Sequence, residues 1–152
     1  MHSKHTRLQL AAGESAFTMV ELLVVILIIG ILAAIAIPSF LNQRNKGNDV
    51  EAKAMATSAA QAFETCKTDS NGSYAPCTLA SLRSIEPTLN DAGARLAVTS
   101  GSDDYRVTVT ADRDSGAAVF TLSHASDGTN SRTCSTGSAD KGGCSAQSSG
   151  SW

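Results

Sequence analysis

Aromatic side chains are scarce in this 152-residue chain, at 5% of residues, and nowhere do they interleave with a stripe of Lys and Arg. A nucleic-acid surface therefore has no support in composition, and contact with DNA would rest on scattered basic residues alone. Catalytic signatures are missing too. There is no G-x-S-x-G, H-E-x-x-H, phosphate-loop or dinucleotide pattern, so the chain reads as a non-enzyme that needs no cofactor. Cysteines are few and widely set. Cys66, Cys77, Cys134 and Cys144 form no C-x-x-C pair, and His2, His5 and His124 are not grouped with them, which argues against a zinc or redox motif. Asp112, Asp114 and Gly116 make a D-x-D-x-G run without the rest of a calcium loop, and a polar hairpin turn explains it better.

Charge is also absent, entirely so, between Leu22 and Gln43. The apolar stretch Phe17 to Leu41 would measure about 37 Å as a helix, enough to span a hydrocarbon core of about 30 Å. Residues Met1 to Ala16 are polar and carry Lys4 and Arg7 against one acid, Glu14. That positive flank favours leaving the N-terminus in the cytoplasm and sending the remainder across. A cleaved secretory signal has an apolar region of roughly 7–15 residues followed by a small-residue site; here the run is longer and no such site follows it. A plain anchor fits the length but gives no reason for Glu21, an acid four residues inside the apolar stretch. An interfacial carboxylate can snorkel to headgroups, yet an acid within a membrane normally has a partner. A free amine made by cleavage just before Phe17 would serve, supplied by a neighbouring copy. The chemistry points to assembly.

The string AFTMVELLVVILIIGILAAIAIPSF resembles the class III signal of type IV prepilins, shared with type II secretion pseudopilins and competence pilins. Phe17, Thr18, Glu21, Gly30 and Pro38 fall at matching positions, and the likeness covers about residues 13 to 45. It implies cleavage between Ala16 and Phe17 by a prepilin peptidase, N-methylation of Phe17, and polymerisation through the helix, with Thr18, Glu21, Gly30 and Pro38 as assembly positions. The family usually has glycine before the cut where this chain has Ala16; a cut after Gly13 would leave Glu21 eighth in the mature chain instead of fifth. The resemblance further implies a homo-oligomeric helical filament joined by minor pilins, with an assembly ATPase and a platform membrane protein as partners. The precursor would be a single-pass membrane protein and the mature chain part of a surface pilus. A secretion pseudopilin or a DNA-uptake pilin is the nearest alternative, and a singly anchored binding module that never polymerises is a third. Physically, Pro38 lacks the N–H that would bond the carbonyl of Ala34, and Gly30 permits close helix approach; the resemblance implies that the stretch between them loosens in the filament and acts as a hinge.

Beyond Pro38 the helical period persists. Ala52, Met55, Ala56, Ala59, Phe63 and Cys66 recur at spacings of three and four and share one face, giving an amphipathic continuation to about Lys67. Asp69-Ser70-Asn71-Gly72-Ser73 signals a turn, and a short helix is expected over Leu79 to Ile85, opened by Thr78. Tyr105, Val107 and Val109 alternate with polar neighbours, as do Ala118, Phe120 and Leu122, and Arg95 to Thr99 adds a candidate strand. The fold class is α+β and pilin-like: a long N-terminal helix, half membrane-spanning and half amphipathic, packed on an antiparallel sheet of three or four strands. The expected divisions are a leader (1–16), a transmembrane or filament-core helix (17–41), its amphipathic continuation (42–67) and an exported head (68–152). An even cysteine count in such a head reads as disulfides. Three pairings are possible; the local ones, Cys66–Cys77 and Cys134–Cys144, are preferred, the latter closing a C-terminal loop rich in Gly and Ser.

Overall fold

A computed structural model describes residues 17–113, 116–137, 142–146 and 150–152. One helix, α1 (Met19–Asp69, 51 residues), contains Pro38 and Gly47 without interruption. It is followed by α2 (Leu79–Ile85), two 3-10 turns (Pro87–Asn90 and Gly93–Arg95) and strands β1 (Leu96–Ser100), β2 (Tyr105–Thr110), β3 (Ala118–His124), β4 (Asn130–Thr136) and β5 (Gly150–Ser151). By contacts the chain divides after Pro38 into two compact units.

In the second unit the strands form one antiparallel sheet in sequential order. The part of α1 beyond Pro38 packs on it through a stripe of small residues: Ala52, Ala56 and Ala59 are fully buried, and Phe63 stacks on Tyr105 with ring centroids 4.4 Å apart. Alanines on this face let the helix approach the sheet closely, while Phe63, Val107, Val109 and Phe120, all with no exposed surface, fill the space between them. At its C-terminus α1 closes with Asn71 and Gly72 in the left-handed region (φ 54° and 86°) and the Gly72 N–H bonded to the Lys67 carbonyl at 2.9 Å. That is the glycine-terminated stop expected of a helix that must turn sharply. Thr78 caps α2, accepting from the Ser81 N–H at 3.3 Å.

The sheet has five strands, not three or four. The additional strands are β4 and β5, in a tail whose composition shows no buried pattern. β4 pairs with β3 along its whole length, from Ala118 opposite Thr136 to His124 opposite Asn130. Only Cys134 and Thr136 of β4 are buried. Backbone hydrogen bonds therefore hold a strand that side-chain alternation alone does not reveal. β5 adds two residues, pairing Ser151 with Thr133 and Gly150 with Cys134.

Candidate functional site

The helix begins with two residues that satisfy each other. The Glu21 N–H bonds the Thr18 hydroxyl oxygen at 3.1 Å, and the Glu21 carboxylate reaches back to the Thr18 N–H and hydroxyl at 3.4 and 3.3 Å. Thr18 and Glu21 thus stand at the first and fourth positions of a capping box, which satisfies N–H groups that no helical carbonyl can reach. The carboxylate also lies at the positive end of the helix dipole. Glu21 therefore has work within a single chain, a role the sequence reading did not consider although the T-x-x-E pattern before an apolar run announces it. The same fold-back brings the carboxylate one residue from Phe17. Ala16, on the other side of the expected cut, lies outside the described residues.

From Phe17 onward the helix presents apolar surface to its surroundings. None of its most apolar 18-residue window is buried, and the segment is long and apolar enough to cross a membrane. Phe17 is 78% exposed, and Leu23, Ile26, Leu27 and Ile31 are each more than half exposed. Leu23, Ile26, Leu27, Gly30, Ile31 and Ala34 border a shallow apolar groove. A Cβ at Gly30 would meet no atom within 4 Å, so nothing in the single chain requires glycine there. Exposed side chains of this size cost roughly 1.5–3 kcal/mol each in water relative to burial, so this surface calls for lipid or other helices.

The second unit has its own polar interior. Asp49 of α1 is buried at 1% exposure and receives both Nε and Nη2 of Arg113, the former at 2.7 Å, in the connection between β2 and β3. The Gly143 N–H donates to the same carboxylate at 3.1 Å, and Lys53 Nζ donates to the Gly143 carbonyl at 2.6 Å. Gly142 is favoured by this approach, since its φ is +54° and a Cβ there would collide with Asp49 and Arg113, whereas a Cβ at Gly143 would displace the Lys53 ammonium. Sequence reasoning missed this cluster. Its members are 64 and 94 residues apart along the chain, beyond any local pattern. Elsewhere in this unit the Tyr74 and Tyr105 hydroxyls donate to Glu64 Oε1 at 2.8 and 3.4 Å. Burial, and then the Glu64 carboxylate, raise both phenols, that of Tyr105 to about 12 and that of Tyr74 further. Cys66 is joined to Cys77 and Cys134 to Cys144, with Cα atoms 5.9 and 5.8 Å apart. Asp114 of the D-x-D-x-G run lies outside the described residues.

In chain order, then, a capped and unburied apolar stretch precedes a helix-on-sheet unit. The family model "Prokaryotic N-terminal methylation motif" matches residues 12–37, and over that segment the chain is type IV pilin-like. Among characterised proteins it is similar to the type IV wide pilus major component PilA4 of Thermus thermophilus, at 41% identity over 59 residues. That match takes in 39% of this chain and 45% of the relative, so the chain spans less than half of the relative's length. No solved structure matches the chain.

Proposed function

We propose that this chain is a structural subunit of a type IV pilus or a related filament. The observation that carries the reading is the wholly exposed apolar helix with a carboxylate in its first turn. In the sequence of events we infer, prepilin peptidase cuts between Ala16 and Phe17, and Phe17 is N-methylated. The helix anchors the precursor in the membrane with its N-terminus in the cytoplasm. An assembly ATPase and a platform membrane protein then deliver it to the filament, where the helices bundle and the heads face the cell exterior. The Thr18–Glu21 box supports a division of labour for Glu21: one face of its carboxylate caps its own helix, and the remaining capacity pairs with the Phe17 amine of a neighbouring copy. Gly30 offers open space for a neighbouring helix, and Pro38 marks where the apolar core gives way to the head.

Mass spectrometry of sheared surface filaments tests this reading. The expected result is a mature N-terminus at methylated Phe17; an intact Met1, or filaments that lack the chain, would sink it. The capping box also favours a second reading, in which Glu21 is only a helix cap and the chain is a singly anchored binding module. Glu21→Gln separates the two, because glutamine preserves a capping box and removes the charge. Loss of filaments with unchanged membrane level supports the pairing role, whereas wild-type filaments would leave the cap as the whole explanation.

A further inference from the structure

One end of the sheet carries charges on both of its faces. On the face toward α1, a groove of ≈ 300 Å³ is lined by Gln61 and Glu64 of the helix and by His124, Asn130 and Arg132 of the sheet. Arg132 stands opposite buried Leu122 across the strand pair and so belongs to this inner face. On the outer face a second hollow of ≈ 250 Å³ includes Asp104, Arg106 and Ser123, with Arg106 opposite Ser123. Side chains alternate between faces along a strand, and Tyr105 and His124 border both hollows. The two sites are therefore back to back.

Apart from His124, which borders both, each hollow holds one acid and one arginine, and none of these four has an ion-pair partner among the described residues. Among the described residues the Glu64 carboxylate accepts from tyrosine hydroxyls alone, and the Arg132 guanidinium lies over the Trp152 ring at 5.1 Å. We propose that these faces bind one another between adjacent copies of this chain. The outer face of one subunit seats on the inner groove of the next, with Asp104 meeting Arg132 and Arg106 meeting Glu64. Because the faces differ and lie back to back, the contact is heterologous and repeats in one direction without a two-fold axis, the arrangement that builds rings or helical filaments. This rests on the filament reading and gives the heads their own side-by-side contact, separate from the bundling of the apolar helices.

Charge reversal in cells making the full chain tests the contact. Arg132→Glu and Asp104→Arg should each lower the yield of sheared filaments by about tenfold, since like charges then face each other across the interface. The two reversals together should recover yield to within about threefold of wild type. Both positions are exposed, and thermal unfolding of the membrane pool in detergent confirms that each variant head is folded. As a second readout, chains carrying Arg132→Cys and Asp104→Cys together should give a ladder of crosslinked oligomers when intact filaments are oxidised. Wild-type yield from Arg132→Glu, a double reversal no better than the single ones, or intact filaments that give no ladder would overturn the interface while leaving the filament reading standing. Wild-type cells that make no filaments containing the chain would overturn both.

Discussion

The stretch from Phe17 to Pro38 and the head beyond it solve the burial of apolar surface in opposite ways. The first buries none of its most apolar window, and among the described residues its polar side-chain bonds are those that cap its start. The second packs Phe63, Val107, Val109 and Phe120 to zero exposure, then adds two crosslinks and a buried ion pair. The difference teaches where each obtains its free energy. The head draws on contacts within the chain, so its stability belongs to the chain. The apolar stretch has no such contacts to draw on, so its stability belongs to whatever surrounds it.

The hardest way to break the head is to remove one member of its buried ion pair. Asp49→Leu removes the carboxylate that accepts from Arg113 and from the Gly143 N–H, and chemical denaturation of the full chain in detergent should show a loss of about 3–5 kcal/mol. Replacing Cys134 and Cys144 by serine should cost about 2–4 kcal/mol in the same measurement, by freeing the unfolded C-terminal loop. Next comes alkali. The Tyr105 phenol is raised from 10.0 to about 12 in the folded head, so the folded state holds that proton more tightly than the unfolded chain. This contribution is complete below pH 10 and is lost as pH rises toward 12, a change on the order of 2 kcal/mol. A phenol absorbance titration followed alongside unfolding should place the transition in that window. The smallest effect sharpens the contrast itself. Leu27→Ala should leave the unfolding free energy of the head within about 0.5 kcal/mol of wild type while weakening filaments; a larger shift would mean that the two regions share their stability.

What the sequence disclosed follows from range. The stripe Ala52, Ala56, Ala59, Phe63 shows as a helical period, and Tyr105, Val107, Val109 as a strand, because each pattern repeats within a few residues. Thr78 announces α2 for the same reason. β4 escaped because its residues from Asn130 to Thr133 are exposed, leaving polar composition to disguise a fully paired strand. The Asp49–Arg113 pair escaped for a deeper reason. Each residue alone is the usual sign of a solvated surface, and only the fold brings them together. Thr18 and Glu21 are the opposite case: their spacing is local and legible, while the cost of an acid in an apolar run points only to a distant partner.

The sheet's sequential order has a consequence for how the head comes into being. Every strand pairs with the one just made, so β1 to β4 can form as a series of local hairpins, the kind of contact that folds quickly. The closing steps are different in kind. Gly143 must find Asp49 across 94 residues, and Cys144 and β5 must reach β4. A chain stopped short of residue 143 would carry its helix and most of its sheet but leave the far end unfastened. Gly143, Cys144 and β5 thus act as the buckle on a strap threaded from the beginning of the head.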